Sequence, residues 1–193
     1  MKSLMKARSR SFLSHASLGL VILLSACSEK PAVVAAAAKV QAANQLTPQY
    51  ESTLAEGIDF KKPGYPSFLI EVAGVSNRDE WGRWTDATAS PAVRFRFSKP
   101  LPKKFTLELQ ANAFGPNEGK PTKIRVGNVE REVTIKNVPS YSVYAAEFDD
   151  VVSADTIEII PPNPVLPREV DATNKDERKL GLGLVSLKIK TAN

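Results

Sequence analysis

From residue 58 onward, apolar and polar side chains alternate with a period of two. "AVRFRF" sets Val93, Phe95 and Phe97 against Arg94 and Arg96, and "KFTLELQA" sets Phe105, Leu107 and Leu109 against Thr106, Glu108 and Gln110. Successive side chains of a strand point to opposite faces, so each segment predicts a strand with one buried and one solvated face. "SFLIEV", "TKIRV", "EVTIK", "YSVYAAEF", "TIEII" and "LVSLKIK" read as further strands, and "SKPLPKK", "FGPNEGKP", "VGNV", "NVPS" and "PPNPVLP" as the turns between them. Within "RVGNVERE", the Gly127–Asn128 pair predicts a two-residue hairpin. Short strands punctuated by Pro and Gly, about eight or nine of them, predict an all-β domain over residues 58–190, an antiparallel two-sheet sandwich.

The preceding residues follow other patterns. "TPQYESTLAEG" predicts one or two helical turns, with Thr47 as N-cap, Pro48 in the first turn and Gly57 as the stop. "SEKPAVVAAAAKVQAANQ" is rich in alanine and poor in aromatics, and residues 27–57 read as a tether ahead of the sandwich. As a flexible coil such a segment reaches roughly 30 Å.

Residues 1–26 have the layout of a secretory signal. Lys2, Lys6, Arg8 and Arg10 form a positive leader, "LGLVILL" forms a short apolar run, and "LSAC" places the only cysteine, Cys27, at the junction. The run is far below the roughly 20 residues of a bilayer span. Leu24-Ser25-Ala26-Cys27 matches a bacterial lipobox, in which the cysteine is acylated; an ordinary signal with a chance cysteine is the alternative. Lipidation makes the membrane a partner through Cys27, since each buried methylene contributes roughly 0.8 kcal/mol. Ser28, where an aspartate would hold a lipoprotein back, points to the inner leaflet of the outer membrane, facing the periplasm.

Charge and chemistry follow from that division. Four of the 26 Lys and Arg residues lie in the leader and none of the 21 Asp and Glu do, so the remainder is within about one charge of neutrality. It carries no basic run of the kind that tracks phosphates, which excludes a nucleic-acid partner. His15, the one histidine, is also in the leader. Without an imidazole or a free thiol, neither triad catalysis nor a His/Cys zinc site is expected, and we expect no cofactor. Paired carboxylates are the remaining catalytic chemistry. Glu80, Asp86, Glu147, Asp149, Asp150, Glu169 and Asp171 are available for it, although most read as solvated charges. "DATNKDE" is rich in oxygen ligands but lacks the spacing of a calcium loop, so no metal site is assigned.

The stretch "EWGRWTD" holds both tryptophans. A tight turn at Gly82-Arg83 would set Trp81 and Trp84 opposite each other across a hairpin. We expect one ring to fill the core and the other to stay exposed beside Glu80, Arg83 and Asp86. An apolar ring among polar groups suits a sugar, whose C–H face and hydroxyls need both. In "FGPN", Phe114 is expected to plug the core and Asn117 to stand at a loop tip. Arg168, after a proline-rich loop, either lines the same end of the sandwich or pairs with Glu169 in solvent.

Four motifs in order carry a resemblance: "GIDFKKPGYPSFLIEVAGVSNRDEWGRWTD", "AFGPNEGKP", "IEIIPPNPVLPRE" and "DERKLGLGLVSLKI". Together, roughly over Gly57 to Lys190, they resemble the C-terminal domain of unknown function in periplasmic phosphoglycerol transferases, the type that decorates osmoregulated periplasmic glucans. The resemblance implies a jelly-roll-like sandwich of the sort that often binds carbohydrate. It transfers no ligand residues and no transferase activity, because that family's sulfatase-like catalytic unit is not in this sequence. A non-catalytic envelope lipoprotein that binds glycan or assists a glycan-modifying enzyme is therefore the leading expectation. A structural lipoprotein with an envelope protein partner is the alternative, and a carboxylate glycan hydrolase a remote one.

Anchoring is tested by metabolic labelling with a fatty-acid probe. The wild-type protein should label and Cys27→Ala should not; an unlabelled wild type contradicts the lipobox.

Overall fold

The computed structural model describes residues 46, 48–138 and 141–191, so the leader, Cys27 and Thr47 lie outside the described residues. Among these, the chain forms β1 (Gln49–Tyr50), β2 (Ile58–Asp59), β3 (Tyr65–Pro66), β4 (Leu69–Ala73), β5 (Arg83–Asp86), β6 (Val93–Phe97), β7 (Phe105–Ala113), β8 (Pro121–Val126), β9 (Val129–Thr134), β10 (Ser142–Phe148), β11 (Thr156–Ile160) and β12 (Leu180–Lys190). Each segment read from the alternation is a strand here. β1, β2 and β3 are only two residues long, too short to show a period.

Two five-stranded sheets pack face to face. The first runs β10-β7-β12, and β12 pairs along its far side with both β2 and β5. The second runs β4-β6-β11-β8-β9. From β4 to β8 the chain changes sheet at every strand, a jelly-roll-like route, and every pairing within the two sheets is antiparallel. The hairpin at Gly127-Asn128 closes with Val126 opposite Val129, as the dipeptide predicts.

The alternation decides what lies between the sheets. Val93, Phe95 and Phe97 of β6 face Leu107 and Leu109 of β7, Ile157 and Ile159 of β11, and Leu182 and Leu184 of β12 in one continuous core. β12 contains a bulge at Val185: Leu184 opposes Ala111 and Ser186 opposes Gln110. One extra residue reverses the parity, so Leu182 and Leu184 point inward before it and Leu187 and Ile189 after it.

The outer face of the second sheet carries a ladder of charge. Glu71 pairs with Arg96 at 3.2 Å, and Arg94 with Glu158 at 3.1 Å. Arg125 bridges Glu158 and Glu130 at 3.3 and 3.0 Å, and Lys123 meets Glu130 at 2.9 Å. Its arginines are nearly half exposed, so each pair contributes little beyond keeping this face wet.

One expectation upstream is corrected. The segment 48–57 does not begin a helix at Pro48; Gln49–Tyr50 pairs with Tyr65–Pro66 instead. A single helical turn follows, in which Thr53 and Glu56 cap each other reciprocally and Gly57 N donates to Thr53 O. Gly57 does stop the turn.

Phe95, fully buried, should cost about 3–5 kcal/mol in a urea melt when changed to alanine. Glu158→Gln, which breaks the centre of the charge ladder, should cost under about 1 kcal/mol. Equal losses would contradict a fold held by its core.

Candidate functional site

The outer face of the first sheet differs from the charged face opposite. β7 presents Thr106, Glu108, Gln110 and Asn112 outward, between buried Phe105, Leu107, Leu109, Ala111 and Ala113. Beside Asn112, β12 presents Gly183, which has no side chain to cover the sheet. Residues 74–86 fold over this gap as a hairpin. Asp79 N donates to Gly82 O at 2.8 Å, so Glu80 and Trp81 form the two-residue tip. The turn therefore precedes Gly82, where the sequence reading places it at Gly82-Arg83. Gly82 has φ 154, and a Cβ there would lie 2.1 Å from the carbonyl oxygen of Leu184. Only glycine lets the returning strand run this close to β12.

Both tryptophans lie on the outside of this sheet. A Cβ on residue 183 would stand 3.0 Å from Cη2 and Cζ3 of Trp81 and 3.2 Å from Cζ3 of Trp84. The two rings meet edge to face at 4.9 Å, and Tyr141 stacks on Trp81 at 5.4 Å and 13°. Phe114 meets Trp84 at 5.5 Å, edge to face. All four rings are half-buried and none belongs to the core. The expectation of one core tryptophan is thus corrected, and so is Phe114 as a core plug. Strand parity is the reason: Arg83 and Thr85 of β5 point inward, leaving Trp84 and Asp86 outward.

Polar groups surround the rings. Gln110 Nε2 donates to Tyr141 O at 3.2 Å, while its Oε1 accepts from Ser186 Oγ at 3.3 Å. Asn112 accepts from Val138 N and donates to Asn137 Oδ1, at 2.8 and 2.9 Å. Burial, reinforced by the charge of Asp79, raises the Tyr141 phenol above its ordinary pKa, so it remains a neutral hydroxyl at physiological pH. Asp79 and Asp86 both act on the guanidinium of Arg178, which pairs with Asp176.

The candidates read from sequence separate accordingly. Glu80, Trp81, Trp84 and Asp86 belong to this face or its rim; Glu80 is exposed at the hairpin tip, and Asp86 Oδ1 accepts from Thr88 N at 2.9 Å. Arg83 does not belong. Only 6% exposed, it points between the sheets, donates to the carbonyls of Ser76 and Lys62, and lies 4.8 Å over the Tyr65 ring. Asn117 is fully buried rather than at a loop tip. Its amide joins two loops, donating to Phe114 O and Asn163 O and accepting from Asn163 N, each at 2.8 Å. Arg168 is exposed on the short turn Pro167–Glu169, and among the described residues no hydrogen bond or ion pair ties it to the rings. Its neighbour Glu169 caps Leu166 N instead of pairing with it. In "DATNKDE", Asp171 accepts from Thr173 and Asp176 from Arg178, so local donors occupy these carboxylates. Among the described residues no three His, Cys, Asp or Glu side chains cluster as metal ligands.

Tyr141, Gln110, Asn112 and Ser186 were not singled out from the sequence. The available signal was "GLGL", whose glycines within a strand mark a close approach from outside. Beyond Gln110 and Ser186 the face descends into a cleft of 390 Å³, lined by Tyr50, Glu51, Glu56, Asp59, Lys61, Lys62 and Lys188 among others.

The antiparallel sandwich thus has one charged outer face and one that presents aromatic rings and amides. Residues 45–191 match the family described as Domain of unknown function (DUF7024), and the chain belongs to that family. It is 36% identical over 135 residues to phosphoglycerol transferase I of Escherichia coli O139:H28 (strain E24377A / ETEC) and to that of Shigella boydii serotype 18, and 35% identical to that of Escherichia fergusonii. The match covers 70% of this chain and 17% of each relative, so the chain spans about a sixth of the curated relatives it matches. Among solved structures, a family 29 carbohydrate binding module, CBM29-2, overlaps 70% of this chain and 89% of its own, at 15% identity and a TM-score of 0.45. BiXyn10A CBM1 overlaps 73% of this chain and 100% of its own, at 13% identity and a TM-score of 0.44. These overlaps are too loose to bear on ligands.

Gly183→Val should push both indoles off the sheet while leaving the sandwich folded, at a cost of about 1–3 kcal/mol. The expected signature is a changed near-ultraviolet circular dichroism spectrum with an unchanged far-ultraviolet one. Unchanged spectra in both ranges would contradict the packing of Trp81 and Trp84 on residue 183.

Proposed function

We propose that the chain is a non-catalytic envelope lipoprotein domain that binds a glycan on the outer face of its first sheet. One observation carries this reading: Trp81, Trp84 and Tyr141 form a continuous aromatic surface outside the core, bordered by the amides of Gln110 and Asn112. Sugar rings present apolar C–H faces and a rim of hydroxyls. Aromatic rings cover the former, and amides, each both donor and acceptor, satisfy the latter. The rings are held by their neighbours and by the sheet beneath, so little freedom is lost when a sugar docks.

The relation to phosphoglycerol transferase I supports a place beside such an enzyme. A match to 17% of that protein suits an accessory role, in which the domain holds the glycan that a separate catalytic unit modifies. Acylation at Cys27 would hold the domain at the inner leaflet of the outer membrane, facing the periplasm. A second reading, binding of an envelope protein, draws on a 320 Å³ groove lined by Leu54, Phe68, Phe97, Pro100 and Leu101, where Phe68 stacks on Phe97 at 5.6 Å.

The test is titration of the purified protein with periplasmic glucan oligosaccharides, alongside urea melts. Trp84→Ala should weaken binding about tenfold or more while costing only about 1–2 kcal/mol of stability, because the ring is half-buried. Arg83→Ala should act in the opposite sense, lowering stability and leaving the affinity of the folded fraction unchanged. Wild-type protein that binds no glucan, or a Trp84→Ala variant that binds like wild type, contradicts the proposal.

A further inference from the structure

The register of the first sheet aligns two rows of outward side chains across its strands. In the first row, Trp84 of β5 opposes Gly183 of β12, and Gly183 opposes Asn112 of β7. Tyr141 continues that row, because the next residue, Ser142, opposes Ala111. In the second row, Asp59 of β2 opposes Ser186 of β12, Ser186 opposes Gln110 of β7, and Gln110 opposes Val143 of β10. The bulge at Val185 sets this alignment, since without it Gly183 and Ser186 would point to opposite faces.

The two rows differ in height and chemistry. Indoles and a phenol stand over the first, while the second has a carboxylate, a hydroxyl and an amide, ending in a valine. Side by side they form a ledge with an aromatic wall and a polar floor. Four strands about 4.8 Å apart give that ledge a length of roughly 14 Å, more than a disaccharide covers. Its floor keeps spare hydrogen-bonding capacity. Ser186 Oγ donates to Gln110 Oε1 and retains its lone pairs, and Gln110 Nε2 retains one N–H beyond the one given to Tyr141 O.

Both ends lead outward. At the β10 end, Val143 is 59% exposed, an apolar side chain that the core does not use. At the β2 end, Asp59 and Ser186 open into the 390 Å³ cleft. Lys61, Lys62 and Lys188 are matched there by Glu51, Glu56 and Asp59, so the cleft is rich in donors and acceptors without a net charge. Neutral hydroxyls, each both donor and acceptor, suit such a lining better than an ion does.

From this we infer that the ligand is an extended oligosaccharide that crosses the strands along the ledge, from Val143 to the cleft at Asp59, and that the site accepts an internal stretch of a longer chain. The inference rests on the glycan reading above and adds to it the direction, the minimum length and the open-ended mode of binding. Sugar faces pack against the aromatic wall while their hydroxyls meet Ser186 and Gln110. A single sugar meets only one step of the ledge, whereas a longer chain also engages Val143 and the cleft.

The test is calorimetry on the full chain with linear oligosaccharides cut from periplasmic glucan, from disaccharide to heptasaccharide. Affinity should rise about tenfold or more beyond the disaccharide and then level off, as each added sugar gains hydrogen bonds until the ledge is full. Val143→Lys and Asp59→Ala, one at each end, should each remove most of that rise and leave the disaccharide affinity at the wild-type value. Trp84→Ala should weaken every length. Because Val143 is exposed, its variant should melt in urea like the wild type, which separates the effect on binding from any effect on folding. The uncut glucan should bind as tightly as the heptasaccharide, and its exclusion would overturn the open-ended mode. Affinity that levels off at the disaccharide, or a rise that survives both end variants, overturns the ledge; if Trp84→Ala still weakens binding, the aromatic platform stands. No binding at any length overturns the inference together with the glycan reading.

Discussion

The parity of β12 is the constraint on which the rest of the structure depends. Up to residue 184 its even-numbered leucines fill the core, and Gly183 between them leaves bare backbone on the outside. The bulge at Val185 then reverses the alternation, which turns Ser186 and Lys188 outward and keeps Leu187 and Ile189 in the core. One strand thus supplies the floor beneath the indoles, the polar link beside Gln110 and one wall of the cleft. Any side chain at 183, or an unbulged strand, would place either the rings or the lysine elsewhere.

That arrangement gives the two outer surfaces different characters. On the second sheet, arginine and glutamate ladders neutralise one another across neighbouring strands and keep the face hydrated. On the first, half-buried aromatic rings outside the core leave apolar surface in contact with water. We propose that this surface, with amides held at fixed positions around the rings, is where a glycan docks. Arg83 contributes from behind, where it fixes the 62–76 region through backbone carbonyls.

The fold was legible because alternation is a direct readout of which face is buried, and "AVRFRF", "KFTLELQA" and "TIEII" became strands nearly as read. The parity switch in "LGLGLVSLKIK" is also present, as apolar residues at even and then odd positions. The site was less legible. The sequence draws attention to Trp81 and Trp84 as a pair, but whether a ring lies inside or outside the core depends on which residues form the turn. The tip at Glu80-Trp81 is set by the close approach of Gly82 to Leu184, a contact about a hundred residues away in sequence that no local pattern reveals. Separation in sequence also hid Tyr141, which stacks on Trp81 from the position just before β10, and the Asn117–Asn163 clamp that buries an expected loop tip. A charged residue beside two tryptophans looked like a ligand group; in a strand, its neighbour's outward position sends it inward.

The central claim is that glycan meets the first sheet and not the second, and chemical-shift mapping during a glucan titration tests it directly. The indole resonances of Trp81 and Trp84 and the side-chain amides of Gln110 and Asn112 should move together and saturate, while Arg94 and Arg125 on the opposite face stay fixed. Shifts confined to the charged face, or to the groove around Phe68 and Phe97, would contradict it.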